Sequence, residues 1–402
     1  GIVPAIFFAR VNAIQVLKNI SSARVFGKVT VRKALIVGQF TISLMFIAAT
    51  VIGYKHYKHV LAFDLGFDTE NVLNIKLFGN KPDFLMKELS EMPEVKGLSK
   101  SSMIPSLGSY MGTNMKYTDP ADSTFVYNVS VDENYLPLHG HKLLAGRNFN
   151  ARADSAMESE VIVNEQVLKR FNIANRDPAE AVGEIITLDG KKVKIIGVVK
   201  DFYYGRSTDK EIKEFLFRYS FDNADFVNAK VISSDWPATL GKIERAWKKI
   251  DNVHPLEARF YDEQIERAYT DFSSRIKVIG TLSFLAICIA SIGLLGMVVF
   301  STETRLKEIS IRKVLGATEA GLIYLLSRGF LSLLAIAALI ALPTARFFFV
   351  KYVLDEYADV APISWGELLM SVAGVMALAF VMIASQTLKG ARSNPAEVLK
   401  NE

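Results

Sequence analysis

The sequence predicts an α-helical membrane protein with four transmembrane helices and a large α+β extracytoplasmic domain inserted between the first and second. Three observations lead to this fold class. Half of the 402 residues are hydrophobic although 22% are charged, which indicates a mixture of membrane-spanning and water-soluble segments. Four stretches are apolar over roughly 20 residues, the length that crosses a bilayer. Between the first two lies a long segment of ordinary soluble composition, large enough for its own core.

These stretches divide the chain into nine segments. The four transmembrane helices are predicted at residues 34–54, 276–300, 321–342 and 368–386. The other segments are a basic segment at 1–33, the α+β domain at 55–275, a charged loop at 301–320, a short loop at 343–367 and a tail at 387–402. Pro343 is predicted to end the third helix, because its ring disfavours helix continuation.

Basic residues predict the orientation of the chain in the membrane. Residues 1–33 contain lysine and arginine but no acidic residue, so this segment is predicted to be cytoplasmic. Counting spans then places the α+β domain and the loop at 343–367 outside, and the loop at 301–320 and the tail inside. The net charge of +5 is therefore mostly a topology signal and does not argue for nucleic-acid binding.

The two ends of the chain are similar to each other. Residues 9–19 read ARVNAIQVLKN and residues 391–401 read ARSNPAEVLKN. A chance match between two basic segments would give the same pattern, but we prefer an internal duplication. On that interpretation the first segment is the tail of a preceding repeat, and the chain is the C-terminal half of a duplicated protein.

The α+β domain is predicted to begin and end with a β-α-β unit, and the two units should pack into one lobe. They comprise strands at 72–78, 95–102, 229–233 and 256–261 with helices at 82–92 and 237–250. A strand-rich insert between them forms a distal lobe, with strands at 125–131 and 161–163, a helix at 164–171 and a hairpin that turns at Asp189-Gly190. From residue 262 to residue 300 we expect one long helix that enters the membrane as a lever.

The charged loop between the second and third spans is predicted to form a short amphipathic helix. Ile309, Ile311, Val314 and Leu315 are interpreted as its apolar stripe. Glu308 precedes Arg312 by four residues, the favourable order for a helical ion pair. Gly316 is predicted to cap the C-terminus of this helix, and Thr318 the N-terminus of the next.

A solvated, positively charged anchor would account for this loop by itself. Its sequence motif, R-x-K-E-I-x-I-R-K-V-L-G-A-T at residues 305–318, nevertheless resembles the cytoplasmic loop of MacB/FtsX-type ABC transporter permeases. The domain also contains D-L-G-F-D at 64–68, G-R-x-F at 146–149, V-I-V-N-E at 161–165 and I-G-V-V-K-D-F at 196–202, which are similar to segments of the MacB-like periplasmic core domain.

The resemblance implies a function and a partner. In this family the short loop helix docks on a separate ATPase subunit, which by position would be contacted by Arg305, Lys307, Glu308, Ile309, Ile311, Arg312, Lys313 and Gly316. ATP binding by that partner moves the coupling helix and drives the periplasmic domains, which is called mechanotransmission. The implied role is export or extraction of an antimicrobial, peptide or lipoprotein across or from the bacterial inner membrane.

The resemblance also implies which other molecules are involved. Expected partners are the cytoplasmic ATPase, a second permease half or homodimer partner, membrane lipid and a periplasmic adaptor or target protein, but no nucleic acid. No cofactor or metal is expected in this chain, since ATP and Mg²⁺ would be bound by the partner. An FtsX-like regulator of periplasmic cell-wall hydrolases and a membrane-anchored sensory receptor remain the alternatives.

Catalytic motifs are not found in the sequence. It has no G-x-x-x-x-G-K-[ST], G-x-S-x-G, H-E-x-x-H or C-x-x-C, so we expect no enzyme activity in this chain. His139-Gly-His141 offers two metal ligands at most and is interpreted as a turn. Arg328 lies inside the third predicted span, where it is expected to extend its charge towards the cytoplasmic surface. The single cysteine, Cys288, lies in the second span, which fits a domain without disulfides.

Overall fold

The computed structural model describes residues 30–119, 121–151, 158–205, 211–219, 224–355, 357 and 360–391. Most of the predicted basic segment at 1–33, its repeat with the C-terminal tail, and most of that tail lie outside the described residues. The chain divides into two units. The helical unit contains Arg275–Lys351 and the described residues before Tyr54 and after Ala361, and the α+β unit contains Tyr54–Ser274 and Tyr352–Ala361.

The helices are numbered in chain order. They are α1 (Thr30–Leu61), α2 (Pro82–Ser90), α3 (Tyr135–Leu138), α4 (Glu165–Phe171), α5 (Pro178–Ala181), α6 (Trp236–Lys248), α7 (Tyr261–Ala268), α8 (Thr270–Thr304), α9 (Leu306–Val314), α10 (Glu319–Phe348) and α11 (Trp365–Ala391). A 3₁₀ turn covers Ile173–Arg176, and a π-helical turn, Phe349–Val353, follows α10.

The strands are numbered in the same way. They are β1 (Val72–Lys76), β2 (Val95–Ser101), β3 (Gly112–Lys116), β4 (Ser123–Val131), β5 (Leu143–Gly146), β6 (Glu160–Asn164), β7 (Ile185–Leu188), β8 (Lys191–Val199), β9 (Phe215–Tyr219), β10 (Phe226–Val231) and β11 (Ala258–Phe260).

Four helical stretches among the described residues are long and apolar enough to cross a membrane. They are Lys33–Leu61, Thr270–Thr304, Glu319–Val353 and Trp365–Lys389. Each predicted span lies within one of them. The third prediction ended too early, because α10 continues through Pro343 instead of stopping there. The hydroxyl of Thr344, next to this proline, donates a hydrogen bond of 2.7 Å to the carbonyl of Ile340, the kind of side-chain contact that satisfies backbone groups around a proline in a membrane helix.

The predicted single helix from the domain into the second span is wrong. The chain forms α7 and α8 with a break at Tyr269, whose backbone (φ −102°, ψ 11°) leaves the helical region. The N–H of Tyr269 still donates to the carbonyls of Ile265 and Glu266, while its side chain is buried. Ser273 donates to the Tyr269 carbonyl at 3.0 Å, so helical structure resumes at once.

The first and last parts of the α+β domain pack into one lobe, as predicted. β1 lies between β10 and β11, and β10 also pairs with β2, all antiparallel. Leu85 and Leu89 from α2 and Trp247 from α6 are fully buried in the core of this lobe. The indole N–H of Trp247 donates to the carbonyl of His254 at 2.9 Å.

The distal strands form a closed ring that sequence analysis did not predict. The order β4-β3-β7-β8-β6-β9 returns to its start because β4 and β9 also pair in parallel. The hairpin between β7 and β8 turns at Asp189 and Gly190, both with positive φ (48° and 82°), which confirms the predicted tight turn. The ring joins the first lobe where Ser101 of β2 pairs with Val131 of β4.

Candidate partner-binding site

The loop between the second and third spans contains a separate helix, α9. It follows α8 after a break at Arg305, whose backbone (φ −112°, ψ 13°) is not helical. Within α9 a carboxylate oxygen of Glu308 lies 2.7 Å from the Arg312 guanidinium, which confirms the predicted ion pair. Both side chains are roughly half exposed, so this pair adds little to stability. The side chain of Lys307, one of the predicted coupling residues, lies outside the described part of the molecule.

Both ends of the turn after α9 are fixed by hydrogen bonds. Gly316 adopts φ +91°, a conformation that disfavours residues with a Cβ. The Ala317 N–H donates to the Arg312 carbonyl at 2.9 Å and the Gly316 N–H to the Lys313 carbonyl at 3.0 Å, which is the Schellman pattern. The Thr318 hydroxyl oxygen accepts from the Gly321 N–H at 3.2 Å. The two predicted caps are therefore confirmed.

The predicted apolar stripe of α9 is wrong, because its members lie on two opposite faces. Ile309 is 5% exposed and packs against Leu322 and Leu326 of α10. Ile311, in contrast, is 50% exposed, Val314 69% and Leu315 80%. At about 100° per residue, Ile311 is turned about 160° away from Ile309, whereas Ile311, Val314 and Leu315 lie within about 100° of one another.

The structure thus separates the residues of the predicted coupling site. Arg305, Glu308, Arg312 and Gly316 are exposed, whereas Lys313 is half-buried. Ile309 belongs to the contact between α9 and α10 instead of the exposed surface. Val314 and Leu315, which the predicted site did not include, form an exposed apolar patch with Ile311. Helical angles measured from Ile309 would have separated these two faces from the sequence, but not shown which of them is buried.

The two histidines at 139 and 141 lie in an aromatic core of the α+β unit. His139 Nδ1 lies 2.9 Å from the Asp68 carbonyl and must donate, because a carbonyl only accepts. Burial lowers the pKa of His139 to about 4, and burial likewise holds the pKa of His141 well below its usual range. Among the described residues, no group of three histidine, cysteine or acidic residues could hold a metal ion.

A second buried acid–base group lies close to this core. Burial raises the pKa of the Asp132 carboxyl to about 7. Tyr135, which follows Asp132 closely in the sequence, is fully buried, and its ring centroid lies 4.4 Å from that of His139. Gly140, between the histidines, adopts φ +62°, which agrees with the turn expected there.

Two family models match the chain over most of its length. The model of the MacB-like periplasmic core domain matches residues 36–245. The model of the FtsX-like permease C-terminal region matches residues 280–395, which include most of α8 and all of α9 and α10.

Curated proteins and solved structures with MacB-type names are similar to this chain. It is 24% identical over 234 residues to the uncharacterized ABC transporter permease YknZ of Bacillus subtilis, covering 56% of this chain and 57% of that protein. It is 22% identical over 275 residues to the macrolide export ATP-binding/permease protein MacB of Aggregatibacter actinomycetemcomitans, covering 64% of this chain and 41% of that protein. The crystal structure of the periplasmic region of MacB from Actinobacillus actinomycetemcomitans aligns with a TM-score of 0.38 at 14% identity, covering 50% of this chain and 94% of that one.

The chain spans about half the length of the curated relatives it matches, from 57% of YknZ to 41% of MacB. The periplasmic core model alone covers more than half of the present sequence. With the permease model over the last three spans, these matches show that the chain belongs to the MacB/FtsX-type family of ABC transporter permeases.

Proposed function

We propose that this chain transmits the ATP-driven motion of a separate cytoplasmic ABC ATPase to a periplasmic α+β domain. The proposed membrane is the bacterial inner membrane, with the α+β unit outside between the first and second spans. The working unit contains a second permease half or a second copy of the chain. Family membership and the distribution of basic residues support this topology.

The observation that carries the proposal is the exposed face of α9. Ile311, Val314 and Leu315 form an apolar patch on a short helix that lies outside the apolar core of the neighbouring spans, with Arg312 beside it. An apolar patch with charged neighbours is typical of a protein contact: the apolar side chains provide the affinity and the charges guide the encounter. Ile309 would instead hold α9 on α10.

The caps of α9 suit it to the transmission of force. Its C-terminus is fixed by the Gly316 turn, and the next helix starts at the Thr318 cap, so few residues between α9 and α10 can absorb a displacement. When ATP draws the partner ATPases together, α9 would move with the spans on either side. The periplasmic domains would then act on a substrate such as an antimicrobial, a peptide or a lipoprotein.

The test compares two substitutions of the same kind on different surfaces. Ile311→Asp places a charge in the proposed contact, and Ile232→Asp places one at an exposed isoleucine of the α+β unit. We expect Ile311→Asp to lower co-purification with the cognate ATPase, and the stimulation of its ATP hydrolysis, at least tenfold. Ile232→Asp should leave both at the wild-type level. Equal binding and stimulation by Ile311→Asp and wild type would exclude α9 as the coupling element.

A further inference from the structure

A cavity of about 420 Å³ lies beside α9 in the helical unit. Four cationic side chains line it, and they come from four different helices or helix junctions: Lys33, Arg305, Arg312 and Arg328. Glu308 is the one carboxylate among the described lining residues. The cavity therefore has a strong positive charge.

Most of this charge is not neutralised by the described residues. Glu308 forms its ion pair with Arg312. Within the described ranges, the side chains of Lys33, Arg305 and Arg328 form no hydrogen bond or ion pair. Cations that converge on one cavity repel each other unless an anion lies between them. The cavity thus has the charge of an anion-binding site.

Arg328 strengthens the argument that the cavity needs an anion. It lies nine residues into α10, inside the candidate span Glu319–Val353. That position is about 13 Å along the helix from its start, at the usual rise of 1.5 Å per residue. A charged side chain within a span is costly and usually faces a polar or water-filled site. The cavity provides that site.

Apart from Ser301 and Thr304, the rest of the wall is largely apolar. Met297 of α8 and Phe330 and Leu333 of α10 contribute to it, and all three belong to candidate spans. One cavity therefore combines guanidinium groups, which bind phosphate oxygens in pairs, with side chains of the hydrocarbon region. A carboxylate of a soluble partner would use the first part but not the second.

We propose that this cavity binds the headgroup of an anionic phospholipid from the cytoplasmic leaflet. Its phosphate would lie between Arg328, Arg305 and Lys33, and an acyl chain would follow the wall at Phe330 and Leu333. Basic pockets between helices at this face of a membrane take such headgroups. The assignment of the leaflet rests on the topology proposed above, but binding itself does not require the ATPase.

The test measures lipid binding to the full chain without any ATPase. The detergent-solubilised protein is titrated with phosphatidylglycerol or phosphatidylcholine, and bound lipid is counted by native mass spectrometry. We expect wild type to retain phosphatidylglycerol in preference and Arg328→Gln to bind it about tenfold more weakly, as expected for a lost charge-assisted contact. Arg328→Lys should lose less. Lys277→Gln removes an exposed charge near the other end of α8 and should bind as wild type.

A second variant tests the cavity without changing its charge. Gly329 lines the cavity, and a Cβ placed there would meet no protein atom within 4 Å. Gly329→Leu should therefore be accommodated by the fold while taking up space needed by the lipid. We expect a loss of phosphatidylglycerol binding at unchanged thermal stability.

Each other outcome overturns the proposal. Equal phosphatidylglycerol binding by wild type, Arg328→Gln and Gly329→Leu would exclude the cavity as the site. Equal retention of phosphatidylcholine would exclude selection for anionic lipid, and displacement by millimolar inorganic phosphate would show a site for free anions. Normal lipid binding with reduced ATPase co-purification in Arg328→Gln would assign the cations to the protein partner. The Ile311→Asp experiment is read separately, so failure of one proposal does not imply failure of the other.

Discussion

The two units of the molecule differ in what surrounds their large apolar side chains. In the α+β unit many are buried between strands and helices, as Trp247, Phe202 and Phe217 show. In the helical unit many are exposed, among them Ile292 of α8 and Leu339 of α10. Apolar side chains that are exposed on a span are covered by lipid, so their exposure does not indicate a protein partner. α9 is not one of the candidate spans, so lipid around a span does not explain the exposure of its apolar residues.

The largest expected effect tests this comparison with one substitution made in both units. Trp247→Ala empties a fully buried site and leaves the His254 carbonyl without its donor. We expect the free energy of unfolding of the α+β unit to fall by about 3–5 kcal/mol. Scanning calorimetry of the detergent-solubilised chain measures this.

The matched control is Trp365→Ala in the helical unit. Trp365 is 48% exposed, and the Arg346 guanidinium lies 5.0 Å from its ring centroid. Loss of that contact should cost no more than about 1 kcal/mol. If the two tryptophan variants lost the same stability, burial would not distinguish the two units.

The second prediction concerns the buried interior of the α+β unit. The pKa of His139 is about 4 in the folded chain, below the ordinary value of about 6.5. The unfolded chain therefore takes up the proton first, and the stability present above pH 6.5 is lost as the pH falls towards 4. Between pH 7.5 and pH 5 this loss amounts to about 2 kcal/mol.

His139→Asn provides the comparison, because asparagine keeps an N–H for the Asp68 carbonyl but does not titrate. We expect its stability to fall less than that of wild type on acidification, by about 2 kcal/mol. The raised pKa of Asp132 acts with the opposite sign but is present in both proteins, as is His141. Parallel pH profiles from calorimetry would show that His139 is hydrated in the folded state.

Local interactions were the part of this structure that the sequence predicted best. The Asp189-Gly190 turn, the Gly316 and Thr318 caps and the Glu308–Arg312 pair each depend on residues within about four positions of one another. Long apolar stretches also predicted the spans, because crossing a bilayer requires only that a helix be long enough and apolar enough.

Contacts between distant segments were the part it could not predict. The burial of Ile309 depends on Leu322 and Leu326, which belong to the next helix. The closed ring depends on parallel pairing of β4 with β9, whose residues Val129 and Phe217 are far apart in sequence. The charged cavity also joins Lys33, Arg305 and Arg328, which lie in or next to the first three spans, so the sequence did not show that these cations share one site.

A smaller effect is expected at the turn after α9, which depends on hydrogen bonds and not on a core. Gly316→Ala places a Cβ at φ +91° and should cost about 1 kcal/mol of local stability. Hydrogen exchange of the Gly316 and Ala317 amides, which donate to the last carbonyls of α9, should become about fivefold faster. Gly296→Ala, within α8 and with free space around the new Cβ, is the control and should not accelerate exchange there. Unchanged exchange in Gly316→Ala would mean that this cap does not hold the turn.

The smallest expected effect is that of Glu308→Gln on stability. Its ion pair with Arg312 is roughly half exposed, so its loss should change the free energy of unfolding by about 0.5 kcal/mol or less, and less still in high salt. The same change removes the carboxylate among the described residues that line the basic cavity. If an anionic lipid occupies that cavity, Glu308→Gln should retain phosphatidylglycerol more tightly than wild type while its unfolding transition stays in place. Weaker retention would mean that Glu308 holds Arg312 in position for the lipid, because a carboxylate that only repelled the headgroup could not have that effect.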